Sequence, residues 1–232
     1  MSKELKKRII TSLFLLSLLS LMHYYTYVLI ISLIVIVMIS WIEFYALIAK
    51  IFIKENLNQK IQRFIYKSVS LLYLSLLIFF ILFIEVNHSQ LKIFIIYSIL
   101  VSILTDVGGL IAGKLFKGKK LTKISPKKTI SGSVGSFFFS LLLLPFFCQD
   151  LINIMPLIEL TTTINHNFLQ LFIITLIISL VSQLGDLFFS YLKRKAKVKD
   201  TSDLLPGHGG VLDRIDGIIF AIPVGFYLLN LS

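Results

Sequence analysis

The chain has 232 residues, of which 56% are hydrophobic and 15% are charged, and its formal net charge at pH 7 is +11. A mean hydropathy of +0.90 excludes an ordinary water-soluble globular protein and indicates an integral membrane protein. The single cysteine, Cys148, excludes an intrachain disulfide bond and leaves no pair of thiols for a zinc site.

Seven apolar runs are long enough to cross a bilayer as helices, which takes about 20 residues. The first run is kept as a helix rather than a cleaved signal peptide, because bulky aromatic residues follow it. We therefore predict an all-α, polytopic integral membrane protein with about seven transmembrane helices, and we treat residues 1–232 as a single transmembrane domain. The predicted spans are residues 9–25, 27–48, 66–84, 91–113, 130–148, 167–192 and 211–231.

The distribution of Lys and Arg predicts the orientation. Of the 23 basic residues, 22 lie in the N-terminal segment and in the loops 50–67, 114–128 and 193–214, and only Lys92 lies elsewhere. Because basic residues concentrate on the cytoplasmic side, the N-terminus is expected inside the cell and the C-terminus outside. We expect these residues to meet lipid headgroups and phosphates rather than nucleic acid, since they lie in loops and not on a soluble face.

Acidic residues inside the predicted spans are the first sign of a functional site, because a charge at membrane depth costs about 2.5 to 3.5 kcal/mol. Glu43, beside Trp41 and Tyr45, is interpreted as an interfacial or hydrogen-bonded acid. The other four acids lie near the cytoplasmic ends of their spans and indicate a site there. These four are Asp106, Asp186, Asp213 and Asp216.

Two stretches place acids and cations on helix faces. In the sixth span, Asp186, Ser190, Lys193 and Lys197 are spaced by four, three and four residues, which predicts a shared helix face. In the seventh span, "VLDRIDG" puts Asp213 and Asp216 three residues apart, again on one predicted face. One cytoplasmic loop joins the two spans, so Asp186 and Asp213 can face each other at one depth.

The stretch "PGHGG", residues 206–210, precedes the last span. Its glycines can turn backbone N–H groups toward an anion and start a helix that points at it. Mg²⁺ takes one or two protein carboxylates and completes its shell with phosphate oxygens and water. Acids, cations and a glycine turn together therefore predict a site for a polyphosphate carried with Mg²⁺.

The loop 114–128 holds a second group of cations. For residues 117–123 we expect only contacts with anionic lipid, at about 1 kcal/mol for each cation. Its end, "SPKKT", differs because Pro126 is rigid and hydroxyl groups flank the lysines. The candidate binding residues here are Ser125, Lys127, Lys128 and Thr129.

Three ordered motifs carry a family resemblance. "SYLKRKAKVKDTSDLLPGHGGVLDRIDG", residues 190–217, closely resembles the signature of the CDP-diacylglycerol synthase family, the phosphatidate cytidylyltransferases. "SPKKT" and the intramembrane "TDVGG" resemble the family's other two landmarks, so the resemblance covers about residues 102–232, the expected catalytic region. Lys197 stands where a glycine is usual in the family.

The resemblance implies an enzyme that joins phosphatidate to the α-phosphate of CTP and releases pyrophosphate, with Mg²⁺ and with a second, monovalent cation left open. It also implies a homodimer in the inner (plasma) membrane, with the active site facing the cytoplasm. Asp186 and Asp213 correspond to the metal-binding acids. The other implied catalytic residues are Lys193, Arg194, His208 and Asp216, and the implied substrate-binding residues are Ser190, Lys199, Asp200, Gly209, Gly210, Arg214, Ser125, Lys127, Lys128, Thr129 and Asp106.

Two alternatives remain open from the residues. One is a related membrane enzyme, either a CTP-dependent lipid kinase or an enzyme that activates another lipid phosphate with CTP; the long ordered signature argues against it. The other is an ion-coupled transporter, which would explain intramembrane acids. A transporter would not explain why a basic, glycine-bearing turn gathers on one side of the membrane.

Overall fold

A computed structural model describes residues 3–53, 56–122, 125, 128–148 and 167–231. Across these residues the regular structure is helical, apart from two isolated β-bridges, so the all-α prediction is confirmed. The helices are α1 (Lys3–Tyr24), α2 (Thr26–Ile51), α3 (Leu57–Asn87), α4 (Lys92–Phe116), α5 (Ile130–Leu141), α6 (Leu144–Phe147), α7 (Phe168–Lys195), α8 (Leu212–Ile215) and α9 (Ile218–Leu231).

Within the described ranges, five helical segments are long and apolar enough to cross a membrane, which agrees with a polytopic membrane protein. They are α2, α3, α4, α5 together with α6, and α7. The first predicted span is shorter in its apolar part, Leu13–Met22, and the seventh is interrupted. The interruption is a turn at Asp216 and Gly217 between α8 and α9, so the prediction that Asp213 and Asp216 share one helix is wrong.

The chain forms two compact units. The first comprises Met1–Phe83 and Leu192–Ile215, and the second comprises Ile84–Tyr191 and Asp216–Ser232. Helices α1 and α2 and most of α3 therefore share a unit with the signature motif "PGHGG", although the resemblance to the family begins only at about residue 102.

In the second unit, buried hydroxyl groups link α4 to α7. Tyr97 is hydrogen-bonded to Thr175 at 2.5 Å between the two oxygens, Ser102 to Ser182 at 2.7 Å, and Thr105 donates to Ser179 at 2.8 Å. All six residues are fully buried. Hydrogen bonds of this kind join helices in an apolar environment, where burial of hydrocarbon supplies little attraction between them.

Helix α5 packs against α4 through glycine. A Cβ atom added at Gly135 would lie 2.2 Å from the Ala112 Cβ, and one added at Gly108 would lie 2.6 Å from the Gly135 carbonyl oxygen. Small residues of this kind let two helix backbones approach closely. The start of α5 is fixed by Thr129, whose Oγ1 accepts a hydrogen bond from the Gly132 N–H at 3.0 Å.

Helix α7 ends in a Schellman motif. The Val198 N–H donates to the Lys193 carbonyl and the Lys197 N–H to the Arg194 carbonyl, at 3.0 and 3.1 Å. Lys197 has a φ of 57°, a left-handed conformation that is sterically unfavourable for a residue with a Cβ atom. Helical geometry stops at Lys195, so the prediction that Lys197 shares the helix face of Asp186 is wrong.

We expect Lys197→Gly to stabilise the protein by about 1 kcal/mol, because glycine adopts a left-handed φ without the steric cost that a Cβ atom imposes. The thermal unfolding midpoint of the purified protein in detergent measures this effect. The matched control is Lys195→Gly, which puts glycine at a helical position and should lower the midpoint. A lower midpoint for Lys197→Gly would contradict the assignment of a strained helix end.

Candidate functional site

The signature loop, defined as residues 196–211, lies in the first unit and is closed by a tight turn. The Leu205 N–H donates to the Gly209 carbonyl at 2.9 Å, and the N–H groups of His208 and Gly209 donate to the Leu205 carbonyl. Gly207 and Gly209 have φ values of 78° and 82°, which residues with a side chain rarely adopt. The glycines of "PGHGG" are therefore explained first by the geometry of this turn.

Asp213, in the first turn of α8, binds the loop at Thr201 and at Gly210. Its Oδ2 accepts from the Thr201 N–H at 2.8 Å and the Gly210 N–H at 3.0 Å, and the Thr201 hydroxyl oxygen lies 2.9 Å away. Its Oδ1 accepts from Lys193 Nζ at 2.7 Å, and this ion pair is largely buried. The structure thus brings three predicted site residues together: Lys193, Gly210 and Asp213.

The protonation state of Asp213 follows from these partners. Burial by itself would raise the pKa of the carboxyl, but the hydrogen bonds from Lys193 and from the Thr201 and Gly210 N–H groups, with the Lys193 charge, outweigh it. The pKa of Asp213 therefore lies below its ordinary value of 3.8, and the group is ionised at neutral pH.

Glu43 of α2 is the second carboxylate that binds the signature loop. It accepts hydrogen bonds from the hydroxyls of Thr201 and Ser202 and from the N–H groups of Val211 and Leu212. The interpretation of Glu43 as a hydrogen-bonded acid is confirmed, but its partners were not foreseen. The sequence held two signs of this contact: an acid within an apolar run and, far along the chain, the adjacent hydroxyl residues Thr201 and Ser202 after "KD".

Backbone N–H groups of the glycine turn donate within the protein. Those of His208 and Gly209 bind the Leu205 carbonyl, and that of Gly210 binds Asp213. The N–H groups that follow, at the start of α8, bind Glu43. These N–H groups, which were expected to face a phosphate, thus already have acceptors in the protein's own carbonyl and carboxylate groups.

A second group of predicted site residues meets in the second unit. Lys128 Nζ forms an ion pair with Asp186 Oδ2, and the Ser190 hydroxyl donates to Asp186 Oδ1 at 3.4 Å. About a quarter of each charged side chain is exposed. Lys128 immediately precedes Thr129, the residue that caps α5, and its N–H donates to the Ser125 carbonyl at 3.0 Å. The "SPKKT" motif thereby delivers a cation to the intramembrane acid.

The remaining predicted residues differ in their exposure. The Arg214 guanidinium donates to the His208 carbonyl, and the Lys199 and Asp200 side chains are 3.7 Å apart and exposed. Asp216 is buried, and its Oδ1 accepts from the Gly217 N–H at 3.0 Å. Arg194 and Asp106 are exposed, and Lys127 lies outside the described residues.

The carboxylates at the candidate site suit Mg²⁺ better than a metal ion whose ligands all come from protein side chains. Among the residues that the structure describes, no group of three or more His, Cys, Asp or Glu side chains could hold a metal ion. Mg²⁺ needs only one or two carboxylates when phosphate oxygens and water complete its shell. Asp186 is partly exposed, whereas Asp213 Oδ2 accepts from two backbone N–H groups and Oδ1 accepts from Lys193, so Oδ1 is the less occupied oxygen of Asp213.

Comparison with known proteins gives a family match over the whole chain. The model of the "Cytidylyltransferase family" matches residues 1–232. A phosphatidate cytidylyltransferase of Rickettsia prowazekii is 38% identical over 172 residues, which are 72% of this chain and 70% of the relative. A second, from Rickettsia felis, is 45% identical over 124 residues, or 53% of this chain and 52% of the relative.

A third relative, the phosphatidate cytidylyltransferase of Bacillus subtilis, is 38% identical over 139 residues, which are 60% of this chain and 48% of that protein. The match thus covers about half of the second and third relatives and more of the first. The whole-chain family match and the ordered signature agree. The chain therefore belongs to the cytidylyltransferase family, as its resemblance to the CDP-diacylglycerol synthases predicted.

Proposed function

We propose that this membrane protein transfers the cytidylyl group of CTP to phosphatidate, giving CDP-diacylglycerol and pyrophosphate. The observation that carries the proposal is the ordered signature of residues 190–217 within a family match that spans the chain. The named relatives, from three bacteria, are phosphatidate cytidylyltransferases.

The chemistry needs cations more than it needs a base. A phosphate oxygen of phosphatidate is already an anionic nucleophile, and it forms a bond to the α-phosphorus of CTP. The bond from that phosphorus to the oxygen bridging the β-phosphorus breaks, and its electron pair leaves with pyrophosphate. Catalysis then consists mainly of holding two polyanions together and stabilising the charge that develops on the leaving group.

The ion pairs of the two units fit this task. Lys193, fixed by Asp213, and Lys128, fixed by Asp186, are held in position by carboxylates. An ammonium group carries three N–H donors, so the bond from Lys128 to Asp186 leaves it able to donate to a phosphate oxygen. We assign these two lysines, with Arg194, to phosphate binding and to offsetting the repulsion between the substrates.

Asp186 and Asp213 are the carboxylates that we propose for Mg²⁺. Mg²⁺, when bound, would neutralise charge on the CTP phosphates. Because Asp213 is ionised at neutral pH, it needs no deprotonation before it can accept a cation.

The proposal places the active site at the headgroup level on the cytoplasmic side of the inner membrane. Phosphatidate could then keep its acyl chains in the bilayer while CTP enters from the cytosol. The positions of the basic residues support this orientation, with 22 of 23 on one predicted side. A homodimer is part of the same proposal and follows from the family resemblance.

Purified protein incubated with phosphatidate, Mg²⁺ and CTP should yield CDP-diacylglycerol, identified by mass, together with pyrophosphate. Parallel reactions with ATP, GTP and UTP should yield far less product, and a reaction without phosphatidate should yield none. Absence of a nucleotidyl lipid with all four nucleotides would contradict the proposed reaction, whereas equal yields would contradict only the preference for CTP.

Asp186→Asn and Asp213→Asn should each lower turnover by about 100-fold or more, because the amide keeps the shape of the side chain but removes the charge that fixes a lysine and attracts a cation. Asp203→Asn is the matched control: Asp203 is exposed in the signature loop, and its turnover should stay near that of the wild type. Near-normal turnover of both test variants in a Mg²⁺-dependent assay would refute the assignment of these acids.

Cysteine labelling in intact cells tests the orientation. In a Lys119→Cys variant, the new thiol should be protected from an impermeant maleimide, whereas a Thr161→Cys variant should react. The wild type serves as the control because its one cysteine, Cys148, is buried. Labelling of Lys119→Cys from outside would reverse the proposed orientation.

A further inference from the structure

We propose that Glu43 is the positioning residue of the site: it sets the conformation of the signature loop and thereby the positions of Asp213 and Lys193. This inference rests on the proposed function. It assigns a role in catalysis to the N-terminal part of the chain, outside residues 102–232, where the catalytic motifs lie. All the contacts that carry it lie within the first unit.

Glu43 is 5% exposed, and each of its oxygens accepts two hydrogen bonds. Oε1 accepts from the Ser202 hydroxyl at 2.5 Å and the Val211 N–H at 3.1 Å. Oε2 accepts from the Thr201 hydroxyl at 2.9 Å and the Leu212 N–H at 2.8 Å. One carboxylate therefore joins Thr201 and Ser202 to Val211 and Leu212, across the eight residues 203–210.

Only a carboxylate satisfies these four donors. Each oxygen accepts from one backbone N–H group, which cannot reverse its direction as a hydroxyl can. In Glu43→Gln, either orientation of the amide would place its NH₂ group against the N–H of Val211 or of Leu212. The substitution therefore leaves a buried donor without an acceptor whichever way the amide turns.

Glycine at position 210 is required for the same arrangement. A Cβ atom there would lie 2.0 Å from Thr201 Oγ1 and 2.6 and 2.8 Å from the two carboxylate oxygens of Glu43. The last glycine of "PGHGG" thus leaves the space in which the Glu43 carboxylate meets the loop. Its own N–H binds Asp213 at 3.0 Å, so both carboxylates meet the loop at this residue.

Thr201 connects Glu43 to the proposed chemistry. Its hydroxyl lies 2.9 Å from Glu43 Oε2 and 2.9 Å from Asp213 Oδ2, and its N–H binds the same Asp213 oxygen. Asp213 in turn binds Lys193. A shift of the loop at Thr201 would therefore move the Asp213 carboxylate and the lysine that it holds.

Amide hydrogen exchange and steady-state kinetics on the purified full chain test the proposal together. For Glu43→Gln we expect exchange in peptides covering residues 199–212 to rise about tenfold. We also expect turnover per folded molecule to fall about tenfold or more, because a loop held in the wrong place misplaces the reacting groups. Glu43→Asp keeps the charge and should recover part of the turnover.

Two further variants complete the design. Glu85→Gln changes a helical glutamate that binds Lys92 outside the first unit, and it should leave both readouts unchanged. Ser202→Ala removes one donor to Glu43, and with it the acceptor of the Leu204 N–H, without burying an unpaired charge; it should raise exchange and lower turnover by a few-fold. If Glu43→Gln does not fold, Ser202→Ala decides the outcome.

The proposal would be overturned if exchange across residues 199–212 in Glu43→Gln were the same as in the wild type. If Glu43→Gln does not fold, the same result in Ser202→Ala would overturn it. So would a loss of activity explained entirely by less folded protein, with turnover per folded molecule unchanged. Exchange is measured without substrate, so it remains decisive if the wild type forms no CDP-diacylglycerol. That result would refute the proposed reaction, and the exchange comparison would still show whether Glu43 fixes the loop.

Discussion

The site depends on one physical constraint: buried backbone N–H groups must find acceptors, and here two carboxylates supply them. Glu43 and Asp213 accept hydrogen bonds from the N–H groups of Thr201, Gly210, Val211 and Leu212. Water is scarce near the apolar helices, so an unpaired donor there is costly. The signature loop is held in one conformation because its donors have these specific acceptors.

The same constraint explains why the glycines are needed for the conformation of the loop itself. Gly207 and Gly209 supply the left-handed turn, and Gly210 leaves room for Glu43. Because the N–H groups of His208, Gly209 and Gly210 are already bonded, the proposed phosphate contacts are assigned to side chains such as Lys193 and Lys128. Each of these lysines is paired with an acid, which holds the ammonium group in position. The acid also neutralises the positive charge near the apolar region.

In the second unit, packing is governed by small and hydroxylated residues. Hydroxyl pairs join α4 to α7, and glycine contacts let α5 approach α4. These interactions suit helices surrounded by lipid, where apolar burial gives little preference for one neighbour over another. They also fix the helix that carries Asp186 beside the segment that carries Lys128.

The sequence by itself determined the helical class, the approximate spans and the chemical types at the site, because hydropathy, charge and an ordered signature are local properties of a chain. It also predicted that Asp186, Lys193 and Asp213 belong to the site, and these assignments stay predictions. Tertiary structure alone decided which groups meet. Glu43 and Thr201 are 158 positions apart, and no periodicity in either segment indicates that they bind. Local geometry likewise decided where the helices end. Lys197 terminates α7 in a left-handed conformation, and a turn separates α8 from α9. Hydropathy did not predict these ends because it carries no information about the hydrogen bonds that terminate a helix.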